Sequence, residues 1–131
     1  VNATDEVHIL DQVTLTNDQV ALWLGRFHDR YLPGARGRGM RLDRVWRSPA
    51  GPDATTVHIL WTLPSIRAFY AMRGAAGADP SVAAFWMATD GYAIERGRRA
   101  LQPTIPSPAA APNGDIPSES SVSAPPTGAN A

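Results

Sequence analysis

Hydrophobic and polar residues alternate from Glu6 to Leu15, with Val7, Ile9, Val13 and Leu15 on one side and His8, Leu10, Gln12 and Thr14 on the other. A period of two predicts a strand, and apolar residues on both sides predict one covered on both faces. Thr16 with Gln19 three residues on has the form of a capping box, and Leu15 ahead of it is placed to staple onto Val20. Val20, Trp23, Leu24, Phe27 and Tyr31 then recur at helical spacing, which gives a helix with one apolar, aromatic stripe. Pro33-Gly34 is expected to stop it.

Gly34 to Gly39 reads as an Arg/Gly loop leading to a second strand, Met40 to Arg47. The turn residues Ser48 to Asp53 connect it to a third, Thr55 to Leu63, where Val57, Ile59, Trp61 and Leu63 oppose Thr56, His58, Leu60 and Thr62. Ser65 caps a second helix carrying Ile66, Phe69, Tyr70 and Arg73. Gly74 to Gly77 is expected to interrupt it, and Asp79-Pro80 to restart it with Val82, Phe85 and Trp86 inward. Asp90-Gly91 ends the helical region, and Tyr92 to Leu101 is a fourth strand. The order βαββαβ predicts an α+β, ferredoxin-like fold, a four-stranded antiparallel sheet with helices on one face and the first and third strands central. One sheet face is left over, and a second copy of the chain is its simplest cover, giving a homodimer. The mixed face with the histidines suits a ligand cavity under the helices and the drier face suits the dimer contact; the reverse assignment fits the same pattern.

Length and composition narrow this further. In 131 residues there is room for one domain, placed at 1–102, while 103–131 is rich in Pro, Ala and Ser, lacks aromatic residues and carries only Asp115 and Glu119 as charges. Such a segment buries too little to offset its ordering entropy and is expected to be a disordered tail. Twelve bases, all arginine, balance twelve acids, which leaves no overall field for nucleic acid or an anionic membrane. Without cysteine there is no thiolate site or disulfide. No apolar run is long enough for a membrane span, so a cytoplasmic protein is expected. His, Asp and Glu do not cluster at metal-ligand spacing, and Arg36-Gly37-Arg38-Gly39 lacks the spacing of a phosphate loop. Arg96, Arg98 and Arg99 read as a solvated strand face.

Glu6-Val7-His8-Ile9-Leu10, His58-Ile59-Leu60 and Leu63-Pro64-Ser65-Ile66 resemble the corresponding positions of the dimeric α+β barrel superfamily, over about residues 6 to 101. That group includes stress-responsive barrel proteins, antibiotic-biosynthesis monooxygenases and olivetolic acid cyclase-like proteins. The resemblance implies a cavity between sheet and helices, with His8 and His58 at positions that line it in the cyclase. The chain departs where the cyclase has its main catalytic histidine, for Ser81 and Val82 stand there, and Met72 stands near the place of its tyrosine partner.

The resulting expectation is a cofactor-independent enzyme acting on a small hydrophobic, aromatic or polyketide-like molecule by cyclization, isomerization or oxygenation. His58 or His8 is the candidate general base and Tyr70 or Tyr31 the acid or orienting donor, with Gln12, Trp23, Phe27, Thr62, Phe69 and Trp86 lining the pocket. The competing reading of His58 is a hydrogen-bonded core residue, and that of the aromatics is plain packing. As a whole, the chain could instead be a non-catalytic ligand-binding or stress-related barrel, or, ranked last, a heme-handling protein. The tail gives a direct test: deleting 103–131 leaves unfolding free energy within about 1 kcal/mol of the full chain in chemical denaturation. A larger loss shows that the tail packs.

Overall fold

The computed structural model describes residues 5–104. Strand β1 (Val7–Thr16) leads into a 3-10 turn (Asn17–Gln19), α1 (Val20–Arg26), a π-helical turn (Phe27–Tyr31) and α2 (Leu32–Gly37). The hairpin β2 (Arg41–Pro49) and β3 (Ala54–Leu63) follows, then α3 (Ile66–Gly77), α4 (Pro80–Asp90) and β4 (Glu95–Leu101). All pairings are antiparallel in the order β2-β3-β1-β4, so the two strands with apolar residues on both sides are the central ones. This is the expected ferredoxin-like α+β fold. The segment expected to be a disordered tail lies, beyond Thr104, outside the described residues.

The drier parity is the helix-covered face. Val7, Ile9, Val13, Leu15, Val57, Ile59, Trp61 and Leu63 are all buried and meet Trp23, Phe27, Tyr31, Leu32, Ala35, Met72 and Trp86. His8, Leu10, Gln12, Thr14, Thr56, His58 and Leu60 lie on the open face and are half-buried. This overturns the placement of the histidines beneath the helices. The physical reason is simple: an aromatic helix stripe needs the most apolar surface available.

Local details differ where the chain resists a simple stop signal. Thr16 makes no capping bond to the helix, because its hydroxyl donates to Asp18 Oδ1 at 2.6 Å; the helix begins instead as a 3-10 turn. Pro33-Gly34 does not end it. Proline lacks an N–H and its ring would strike the carbonyl four residues back in a regular α-helix. The wider turn just before it, in which Leu32 N–H reaches Phe27 O, accommodates that defect, and the helical path continues to Gly37. The turn out of it needs φ +92° at Gly39.

Ser65 Oγ caps α3 by accepting from Ala68 N at 3.1 Å, and Asp79 caps α4 through Ser81 N at 3.0 Å. The glycines from Gly74 to Gly77 remain helical. Inward on α3 are Met72 and the half-buried Phe69, while Ile66 and Tyr70 are exposed. Trp23 Nε1 donates to Thr89 Oγ1 at 3.0 Å, which ties α1 to α4 and satisfies the buried indole.

Because the core lies on the Ile59 side of β3, Ile59→Ala should cost about 2–5 kcal/mol of unfolding free energy and Leu60→Ala much less. Urea denaturation of the two variants decides this, and the reverse ranking would put the core on the other face.

Candidate functional site

The period-two alternation of β1 brings one ionisable residue to the buried face. Asp11, between Ile9 and Val13, is only 2% exposed. Its carboxylate accepts from Trp61 Nε1 at 2.9 Å and takes a two-pronged grip from Arg98, Nε to Oδ1 at 2.6 Å and Nη2 to Oδ2 at 2.9 Å. Asp11 and Arg98 are directly opposed in the β1–β4 ladder, so the pairing follows from register. Arg98 Nη2 also donates to Tyr31 Oη at 3.0 Å, and its guanidinium lies 5.7 Å from the Trp86 ring centroid. Burial penalises the charged form of Arg98. The hydrogen bonds and charge of Asp11, with Tyr31, outweigh that penalty and raise its pKa above the ordinary arginine value.

Arg96, also on the helix side of β4, stacks on Trp86 at 4.8 Å and is gripped by Asp90 at 2.7 and 3.0 Å. The Arg96 hydrogen bonds hold the Asp90 carboxyl below its usual range. Of the three β4 arginines only Arg99 shares the open face, opposite Leu10, so they do not form one face as expected, although all three remain exposed.

Beside Arg98 a cavity of about 340 Å³ opens between α3 and the β1–β4 half of the sheet. Ile9 and Ala100 form its floor, Phe69 and Met72 its roof, and Arg98 and Arg73 its polar wall, with Arg73 stacked over Phe69 at 5.9 Å. A flat apolar body with a negative group matches these walls.

Of the residues expected at the site, Tyr31 and Trp86 pack around Arg98, and Phe69 lines the cavity. Trp23 and Phe27 belong to the aromatic core, stacked at 5.4 Å. Tyr70 is 62% exposed, packs edge-on against Phe69 and is not among the residues lining the cavity. His8, Gln12, His58 and Thr62 belong to the parity on the far side of the sheet, so the catalytic set does not converge. The register does put His8 opposite Thr62 and His58 opposite Gln12, as the antiparallel pairing required.

His58 Nδ1 accepts from Gln12 Nε2 at 3.1 Å, which leaves its Nε2 to donate to Ser48 Oγ at 2.8 Å. Both ring nitrogens are occupied. His8 Nδ1 lies 2.9 Å from Thr62 Oγ1, whose hydroxyl donates to Asp43 Oδ2, so Nδ1 is the donor of that pair. A β-bulge between Leu42 and Arg44 turns Asp43 toward Thr62.

Among the described residues no three His, Asp or Glu are arranged to hold a metal ion, and no helix is long and apolar enough to cross a membrane.

The strand order and the helix layer define a ferredoxin-like α+β protein. Solved structures agree at the level of fold. A NIPSNAP family protein from Agrobacterium tumefaciens superposes with a TM-score of 0.63 at 16% identity, over 83% of this chain and 95% of that one. An uncharacterized NIPSNAP domain protein from Burkholderia xenovorans gives 0.60 at 22%, over 82% and 99%. SnoaB from Streptomyces nogalater, a cofactor-independent oxygenase determined in a mutant form, gives 0.55 at 16%, over 79% and 98%. The NIPSNAP family model matches residues 12–108, and the chain belongs to that family. No curated protein matches it.

Removing Arg98 strands a buried carboxylate, so Arg98→Met should cost about 3–5 kcal/mol. Adding Asp11→Asn should recover part of it, with a coupling of about 0.5–3 kcal/mol in a urea-unfolding double-mutant cycle. Strictly additive losses would mean the pair is not a unit.

Proposed function

We propose that this chain binds a small, flat, anionic molecule of the aromatic or polyketide-like kind in the cavity between α3 and the β1–β4 half of the sheet, and acts on it without a resident cofactor. The observation that carries this reading is Arg98, a cavity-wall cation locked by buried Asp11 and backed by Tyr31 and Trp86. A donor fixed before the ligand arrives stabilises charge developing on a substrate oxygen, as in enolisation, ring closure or isomerisation, without the cost of reorganising solvent. The fold shared with SnoaB, a cofactor-independent oxygenase, supports the same reading by analogy. One observation favours binding without turnover as a second reading: no imidazole or carboxylate lines the cavity among the described residues, so a proton acceptor would have to come from ligand or solvent.

The open face belongs to the proposal as the contact with a second copy. Half-buried Leu10 and Leu60 sit directly opposite each other there, and exposed Trp46 lies across from His58. Light scattering should give a dimer; a stable monomer of about 14 kDa at micromolar concentration, the range in which a standard-sized interface of roughly 1,600 Å² holds, rules it out.

A thermal-shift and calorimetric screen of planar aromatic acids, phenols, quinones, polyketide lactones and heme tests the ligand. Ala100→Leu fills the cavity floor and should weaken binding at least about tenfold, which corresponds to about 1.4 kcal/mol. His58→Gln, across the sheet, should leave it unchanged. The opposite pattern moves the site to the histidine face.

A further inference from the structure

Arginine has five N–H groups, and its usual recognition of a carboxylate or phosphate uses two of them side by side. Arg98 has little of that capacity left. Nε and one hydrogen of Nη2 form the fork on Asp11, and the second hydrogen of Nη2 goes to the Tyr31 hydroxyl. What remains is Nη1, with no adjacent donor to complete a second fork. Lateral freedom is small, since Asp11 is itself pinned by Trp61 Nε1 and the guanidinium lies against Trp86. Arg73 retains its donors, but it sits exposed at the rim, where water competes for the ligand and an ion pair contributes little.

From this arrangement we infer that the cavity selects ligands whose charge rests on a single oxygen, a phenolate or an enolate, over carboxylates and phosphates of the same shape. The inference rests on the cavity reading above and adds the identity of the anionic group. A one-oxygen anion is fully served by the one remaining nitrogen. A carboxylate entering the same place satisfies one oxygen and leaves the other desolvated against Phe69 and Met72. Tyr31 thereby acts as a specificity-determining residue: its hydroxyl occupies the donor that would complete the second fork.

The test compares 4-nitrophenol, ionised at mildly alkaline pH, with 4-nitrobenzoate, which has the same ring and nitro group and a different anionic head. Both are titrated by calorimetry into the full chain carrying Arg73→Gln, which silences the rim guanidinium. Nitrophenolate should bind at least about tenfold more tightly. Adding Tyr31→Phe frees the second Nη2 hydrogen beside Nη1 and restores a second fork, so nitrobenzoate should gain about tenfold while nitrophenolate changes little. Circular dichroism of each variant confirms that the fold persists. Equal or tighter binding of nitrobenzoate in the Tyr31 chain overturns the inference and leaves the cavity reading intact, as does a Tyr31→Phe change that does not move nitrobenzoate. If neither probe binds even the unaltered chain, and the aromatic acids and phenols of the wider screen do not either, the cavity reading falls as well.

Discussion

A carboxylate on the inward face of a central strand must be neutralised where it stands, and much of this molecule is arranged around that demand. Asp11 cannot reach water, and two elements answer it: Trp61 from β3 and Arg98 from β4. A one-residue slip of β4 in one direction would set Gly97 against Asp11 and leave the carboxylate unpaired, while a slip in the other would offer Arg99 in place of Arg98. The pair therefore excludes the first of these registers, which would strand a buried charge. It also makes an edge strand of poor strand formers worth keeping, since Arg96 and Arg98 lay their guanidinium groups on Trp86 and Arg98 reaches Tyr31. The helix layer is thus joined to the sheet by directional contacts as well as by area.

The element order, the strand register and the central places of β1 and β3 were legible in the chain because they rest on a period of two and on turn residues, both local signals. The choice of sheet face was not. Leu10, Leu60 and the threonines made the mixed parity look like a cavity lining, while the aromatic stripe of α1 and the π turn in fact sought the drier side. Nor was the path beyond Pro33-Gly34, since a proline that usually ends a helix is absorbed when the turn before it widens. The inward face of α3 was misjudged in the same way, because Phe69 and Met72 face in where Ile66 and Tyr70 had looked equally apolar.

Less of the site could be read. Tyr31, Phe69 and Trp86 were visible as large aromatics at helical spacing, but Asp11 and Arg98 lie far apart in sequence and each has an ordinary appearance alone. The available signal was parity: Asp11 shares the side of Ile9 and Val13, where a carboxylate needs a partner. The histidines, by contrast, attract notice for their chemistry and turn out to serve a hydrogen-bonded ladder in which Gln12, Ser48, Thr62 and Asp43 satisfy the imidazoles. Both ring nitrogens of His58 and Nδ1 of His8 are engaged in this way, on the face away from the helices.

The π turn has a consequence for how this helix tolerates changes in length. Residues four apart drift about 40° per step around a regular α-helix, so Trp23, Phe27, Tyr31 and Ala35 would spiral away from the sheet. The wider turn at Phe27–Tyr31 takes back part of that drift, and all four remain buried. It works as a phase corrector rather than a hinge: removing or adding one residue there would act as a rotation of every side chain downstream, turning Ala35 from the core while leaving the backbone path nearly unchanged.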